Sequence, residues 1–427
     1  MNLLKGIAGA VLACVCVNAH AELNLEITGG IDSGRKITIV PFGGQNLSSV
    51  NLSDIVRNDL SRTGIFAPST NKNFRSLPHR AEEVRAADFE VGTEAVVVGE
   101  ISAGSGGKFV VNYTVSELVG SEARKKFGFR AEVPASKMRE YAHIISDAIF
   151  EKLTGIKGAF NTKIAYIRTL FGSKYPYELC ISDYDGANEV RLLVSTQPLM
   201  SPNWSPDGRH VAYVSFQNRK AEIYSIDVST KNITKITSLP GLNSNPKWSP
   251  DGQRMAMVLS KDGNPEIYVL NMATKGLSRI TNNPAIDTEP AWTASGDGLY
   301  FVSERGGRAQ IYKYSMNSGS VSKVTGHGSK NLSPAAMPDG SGLVMISQNG
   351  GFSVGRQDNN GGFYSLSNTG LDESPSVAPN GTMIIYSTVS GGRKGLTIVS
   401  SDGRSKTQLD KGRGEMSQPS WSYFLRK

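Results

Sequence analysis

Few residues of this chain could do chemistry, and their spacing argues against most of it. Gly351-Phe352-Ser353-Val354-Gly355 fits the Gly-x-Ser-x-Gly pattern of a nucleophile elbow. An elbow works only on a strand-to-helix turn, with a histidine later in the chain to take the serine proton. No histidine follows residue 327, so the segment reads as a glycine-rich inter-strand loop. The five histidines, His20, His79, His143, His210 and His327, include no pair at metal-ligand spacing. Asp183-Tyr184-Asp185-Gly186 starts like a calcium loop but lacks the later Asp or Asn positions and the closing Glu, which leaves a hairpin turn. His143 and Asp147 stand one helical turn apart and could pair. Cys180, in Glu178-Leu179-Cys180-Ile181, reads as a small buried hydrophobe. No catalytic residue, cofactor site or metal ligand is assigned.

The elements that carry these residues begin with an export signal. Lys5 supplies a positive start, residues 7–17 an apolar run, and Ala19-His20-Ala21 a small-x-small cleavage site, so the mature chain is expected to begin at Glu22. Lipid attachment at Cys14 is a competing reading, but it leaves a very short apolar region and a Leu where a small residue is usual. Nothing later approaches the roughly 18 apolar residues that spanning a bilayer needs. The expectation is an exported, soluble protein. Removing residues 1–21 takes away Cys14 and Cys16 and leaves Cys180 as the only thiol, without an intramolecular disulfide. A formal net charge of +8 over 427 residues is too dilute to argue for nucleic acid as a partner.

An internal repeat decides the architecture. Pro202-Asn203-Trp204-Ser205-Pro206-Asp207-Gly208 returns as Pro246-Lys247-Trp248-Ser249-Pro250-Asp251-Gly252. It then decays through Pro290-Ala291-Trp292, Pro334-Ala335-Ala336 and Pro375-Ser376-Val377 to Pro419-Ser420-Trp421. The leading prolines are 44, 44, 44, 41 and 44 residues apart, and all four tryptophans occupy one position of the unit. Within a period, short β-rich runs such as residues 210–214, 222–226 and 233–237 alternate with turn residues, giving four strands per repeat. Four-stranded units of this period are propeller blades. Residues 163–167 match the strand after the Asp-Gly turn but have no Trp unit before them, whereas Pro419-Ser420-Trp421 has no strands after it. The C-terminus should therefore complete the blade opened near residue 161, giving six blades without an open edge.

Residues 36–158 follow other rules. Residues 36–42 form a nearly continuous apolar strand, then Leu52, Ile55, Val56 and Leu60 mark one face of a helix ended by Gly64. Residues 95–98 are a second buried strand. Phe109, Val111, Tyr113 and Val115 alternate, as do Phe127, Phe129, Ala131 and Val133, which predicts an antiparallel pair. A helix striped with Met138, Tyr141, Ile145, Ile149 and Leu153 closes the domain at Gly155. The fold class is an α+β N-terminal domain followed by an all-β six-bladed propeller. Its expected parts are a signal peptide at 1–21, an interaction strand at 22–35, a mixed α/β domain at 36–158 and the propeller at 159–427.

Residues 138–147, Leu153-Thr154-Gly155 and residues 158–166 resemble the segment that joins the two domains of TolB proteins of the Tol-Pal system. Ile39-Val40-Pro41-Phe42 and Asp32-Ser33-Gly34-Arg35 match as well, and with the repeats the similarity covers the whole mature chain. Ala336 and Val377, where a blade Trp would stand, and residues 293–297, in place of the usual turn, depart from the pattern. The resemblance suggests that His143 and Asp147 lie at a domain-domain contact, with plain surface polarity an equal reading. It implies a periplasmic adaptor, not an enzyme, that supports outer-membrane integrity and envelope constriction at division. Its expected partners are the lipoprotein Pal and the inner-membrane protein TolA, with bacteriocins as further ligands, no nucleic acid and no cofactor. Contact with membranes would be through partners only, and the chain is expected to be a monomer. TolA is expected on the mature N-terminus, Glu22-Leu23-Asn24-Leu25-Glu26-Ile27-Thr28-Gly29-Gly30-Ile31-Asp32-Ser33, whose alternation suits strand addition. A strand docked on its own domain is the competing reading.

The loops before the leading prolines must gather at one mouth of the central channel. They include residues 242–245, 287–289, 330–333 and 371–374. The resemblance places Pal there, with Leu242, Asn243, Ser244, Asn245, Asp287, Thr288, Glu289, Asn331, Leu332, Asp372 and Glu373 as expected contacts. The rival reading from another class is a propeller-type hydrolase or lyase acting on peptide or glycan.

Overall fold

The computed structural model describes residues 34–69, 75–409 and 412–425. The expected signal peptide and the TolA-binding residues 22–33 lie outside the described residues.

The N-terminal domain is one five-stranded mixed sheet. Its strands are β1 (Arg35–Ile39), β2 (Phe66–Pro68), β3 (Ala95–Ala103), β4 (Lys108–Val119) and β5 (Glu122–Pro134), in the order β2-β1-β3-β4-β5. Strand β1 runs parallel to both its neighbours, β2 and β3, and β3, β4 and β5 pair antiparallel in turn. Two helices, α1 (Leu52–Arg62) and α2 (Met138–Thr154), cover one face, burying Leu52, Val56, Leu60, Met138, Ile145 and Ile149 against Ile37, Ile39, Val97 and Val115. On the other face Val40, Val84, Val96 and Val98 form a smaller cluster. Residues 95–98 are continuously apolar because both faces of β3 are covered. The predicted antiparallel pairing of β4 with β5 is observed, and it sets Phe109, Val111, Tyr113 and Val115 opposite Val133, Ala131, Phe129 and Phe127. Asn51 caps α1 by accepting from the Asp54 N–H at 3.2 Å. Gly155, at φ 77°, closes α2 in the left-handed conformation that glycine adopts without strain.

The propeller has six four-stranded sheets. Five blades take their innermost strands in chain order from Leu199–Trp204, Asn243–Trp248, Asp287–Trp292, Lys330–Ala336 and Glu373–Val377. The remaining blade takes its innermost strand, Glu415–Trp421, from the chain's end and pairs it antiparallel with Lys163–Thr169, placing Trp421 opposite Ile164. Trp421 Nε1 donates to Thr162 Oγ1 at 2.8 Å, and Ser422 N donates to Lys163 O at 2.8 Å. The ring is thus closed across the two ends of the propeller segment, as the repeat arithmetic predicts. The irregular segment at 293–297 still turns as the Asp-Gly units do. Gly296 takes φ 74°, and Thr293 Oγ1 accepts from Gly298 N at 3.0 Å where Ser205 Oγ accepts from His210 N at 2.9 Å.

Ser353 sits inside the strand Phe352–Asp358, opposite Ser347 of Gly342–Gln348. That is a strand, neither the glycine-rich loop expected of this segment nor the strand-to-helix turn an elbow requires. Cys180 is fully buried, and its thiol is pushed up to about 12 by that burial. Among the described residues no helix is long and apolar enough to cross a membrane.

Candidate functional site

Each innermost strand has an irregularity at the residue before its leading proline. Ser201, Asn245, Glu289, Ser333, Ser374 and Gln418 have φ between 49° and 53°, and the pairing register shifts at the same point in all six blades. A non-glycine residue in this region costs on the order of 1 kcal/mol. Six repetitions mean that the surrounding ring over-determines the conformation. The effect of such a bulge is to re-aim a side chain. Here all six residues, and the prolines that follow five of them, line one cavity of about 380 Å³ at the open mouth of the channel. Side chains stitch neighbouring blades across this ring. Gln418 Oε1 accepts from Ser201 N at 2.6 Å, and Glu289 Oε2 accepts from Ser333 N at 2.6 Å. One strand-step further in, Asn203 Oδ1 accepts from Trp248 N at 2.8 Å and Ser376 Oγ from Trp421 N at 2.9 Å. Burial raises the Glu289 carboxyl and lowers the Lys247 ammonium from their ordinary values, and the opposite charge of each counters the shift.

The expected Pal contacts divide into two sets. Leu242, Ser244, Asn245 and Glu289 line the cavity. Thr288 and Leu332 are half-buried beside it, and Glu373 is exposed with its carboxylate on Lys394 Nζ at 2.8 Å. Asn243, Asp287, Asn331 and Asp372 are instead fully buried. Asn243 Nδ2 donates to Leu239 O at 2.7 Å, Asp287 accepts from Arg305 at 2.7 Å, Asn331 Nδ2 donates to Gln310 Oε1 at 2.9 Å, and Asp372 accepts from Ser367 and Thr369. These four close the loops from within. Ser201 and Gln418, in the two blades the sequence reading passed over, and Lys247 line the cavity as well. The signal for the first two was available, since each immediately precedes a leading proline.

The N-terminal domain docks at the opposite face. Its partners there are Tyr184 and Asp185, in the turn after Tyr177–Asp183, and Ser400 and Asp402, which face Gly64. Asn380 Nδ2 also donates to Lys157 O at 2.9 Å. These turns join first to second and third to fourth strands, whereas the mouth loops join fourth strands to first. The two sets therefore stand at opposite ends of the blades.

At the centre of this contact lies Asp59 of α1, with no exposed surface. It accepts from Ser146 Oγ at 2.7 Å and from Tyr184 OH at 2.7 Å, and meets His143 Nδ1 at 2.8 Å. Arg62 lies 3.5 Å from the same carboxylate and donates to Tyr184 OH at 3.1 Å. Tyr184 in turn stacks on Trp421, ring centroids 5.8 Å apart, so the domain contact and the closing strand share one cluster. His143 and Asp147 do not pair with each other. A buried carboxylate on α1 takes His143, and Asp147 accepts from Phe160 N at 2.8 Å and Asn161 N at 3.3 Å. A side chain on Gly158 would run into Asp147. His143, Asp183 and Asp185 come close enough to share a cation, a grouping that sequence spacing does not reveal. Protein cations already occupy it: Arg139 pairs with both carboxylates and Lys163 with Asp183.

Burial raises the Asp147 carboxyl to about 6, against the pull of its two backbone donors. Burial works to lower His143, but Asp59, by charge and hydrogen bond, and then Asp185 and Asp183 outweigh it and leave the imidazole raised. The folded state thus holds protons on both groups at pH values where the unfolded chain releases them. Their joint contribution to stability falls as pH rises, first between about 4 and about 6 for Asp147, then above about 6.5 for His143. Subtracting the melting curve of Asp147→Asn from that of the native chain between pH 4 and 7 should leave a difference that declines up to pH 6. A flat difference contradicts the assignment.

The fold and site define a two-domain chain in which a small mixed-sheet domain is locked onto one face of a closed propeller, leaving the other face open. Comparison with known proteins agrees along the whole length. The family model of the TolB amino-terminal domain matches residues 23–123, and that of the TolB beta propeller domain matches residues 150–425. The Tol-Pal system protein TolB of Escherichia fergusonii is 56% identical over 411 residues, covering 95% of this chain and 96% of that one. That of Alcanivorax borkumensis is 52% identical over 413 residues, covering 96% and 95%. The crystal structure of TolB from Acinetobacter baumannii superposes with a TM-score of 0.84 at 38% identity, covering 93% of this chain and 99% of that one. The chain belongs to the TolB family.

Proposed function

We propose that the chain is a non-enzymatic periplasmic adaptor of the Tol-Pal system. The open mouth receives a loop of Pal, and the mature N-terminus, residues 22–33, engages TolA by strand addition. On this reading the adaptor transmits between the inner-membrane Tol complex and Pal, supporting outer-membrane integrity and envelope constriction at division, and bacteriocins use the same surfaces. On the same reading the chain divides into an export signal at 1–21, an interaction strand at 22–35, a mixed domain at 36–158 and the propeller at 159–427.

The observation that carries the proposal is the ring of six left-handed residues lining the mouth on the face away from the N-terminal domain. A concave site with fixed, convergent polar groups suits an inserted protein loop. The placement of Ser353 inside a strand speaks against the hydrolase reading. Calorimetric titration with Pal tests it. Glu289→Lys, which removes the acceptor of Ser333 N and reverses a charge at the mouth, should weaken binding at least about ten-fold. A chain lacking residues 22–33 should lose TolA. Unchanged affinities in both variants, or turnover of a peptide or glycan lost in Ser353→Ala, would refute the proposal.

A further inference from the structure

We infer that the channel's other mouth, on the side of the N-terminal domain, is a binding site for a small aryl carboxylate, seated where two blades lack the repeat's tryptophan. The repeat places Trp at the end of the innermost strand in four blades, and Ala336 and Val377 stand there in the other two. Trp248, Trp292, Ala336, Val377 and Trp421 all line one cavity of about 300 Å³. The two small side chains are neighbours around the ring, so the volume they leave is contiguous. Two of the flanking indoles are held rigidly. Trp292 Nε1 donates to Lys247 O at 2.9 Å, and Trp421 Nε1 to Thr162 Oγ1 at 2.8 Å. The third, Trp248 Nε1, is a buried donor with no acceptor among the described residues.

The polar end of the site is Lys247, which lines this cavity and the open one alike. Its ammonium has no carboxylate within ion-pair distance among the described residues, Glu289 acting only from further off. A second cation, Lys157, lies over the ring of Phe424 at 3.9 Å, and Phe424 forms part of the rim. Flat apolar walls favour a planar body, because aromatic rings gain from stacked and edge contacts. Two lysines and an unused indole N–H select an anion over an amine. The ligand class is therefore a compact aromatic or similarly flat body bearing one carboxylate.

Titration of the full chain with indole-3-acetate, followed by calorimetry and tryptophan fluorescence, tests this, with indole-3-acetamide and tryptamine as neutral and cationic counterparts. Saturable one-to-one binding is expected, at least about ten-fold tighter for the acid than for its amide, with none for tryptamine. Ala336→Trp restores the repeat's own residue and fills the space. It should abolish binding while leaving the circular dichroism spectrum and melting temperature of a folded chain. Absence of saturable binding to the native chain, equal affinity for acid and amide, or undiminished binding by Ala336→Trp overturns the inference. Should that variant fail to fold, Lys247→Met decides: lost preference for the acid supports the site, and retained preference refutes it.

Discussion

A chain ending at Gly414 is expected to lose the cooperative unfolding of the propeller and to self-associate. Without Glu415–Trp421, the blade begun by Lys163–Thr169 keeps only three strands. The freed edge, Lys-Ile-Ala-Tyr-Ile-Arg-Thr, carries its two charges towards its ends and is rich in β-formers between them, and its unpaired backbone groups can recruit another chain. Trp421→Ala should show the same effect in reduced form. It removes a ring stacked on Tyr184 and a hydrogen bond to Thr162, at a cost of about 4 kcal/mol for a buried large-to-small change. Size-exclusion chromatography and thermal unfolding distinguish the outcomes. A truncated chain that stays monomeric with an unshifted melt would mean that the ring does not depend on its closing strand.

Asp59→Ala should be about as costly, for a different reason. The substitution leaves His143, Ser146, Tyr184 and Arg62 facing an apolar void without their common acceptor. Removing one member of a buried charged cluster costs about 3–5 kcal/mol, since the remaining groups stay buried and unpaired. Asp54→Ala, at an exposed position three residues after the α1 N-cap Asn51 and paired with half-buried Arg57, is the control and should cost about 1 kcal/mol or less. Because Asp59 joins α1 to a propeller turn, its loss should also split chemical denaturation into two transitions, one for each domain. Equal effects of the two substitutions would remove Asp59 from the centre of the interface.

The fold was legible because repetition carries it. Six prolines in step and an orphaned Trp at position 421 suffice to predict the number of blades and the closing strand. The β4/β5 pairing could be read as well, since apolar residues alternate along both strands, but alternation fixes the buried face and not the register. The domain interface was not legible. Asp59 is separated from His143 by 84 residues and from Tyr184 by 125, and no period links them. The local pairing of His143 with Asp147 fails because each finds a better partner through the tertiary fold. The mouth was legible in part. Its loops follow from topology, but Ser, Glu and Gln carry no signature of positive φ and Asn245 alone supplies one, so the ring of left-handed residues is invisible in composition. Nor does polarity separate an exposed contact from a loop-closing group. Asn243 and Asn245 are of one type and two residues apart, yet the first is buried within the blade and the second lines the channel.

The open mouth is the surface proposed to receive Pal, and amide hydrogen exchange with and without Pal tests this directly. Protection is predicted at the six segments around Ser201, Asn245, Glu289, Ser333, Ser374 and Gln418, with the turns at residues 207–208 and 251–252 on the opposite face unaffected. Protection of those turns with an unchanged mouth would contradict it.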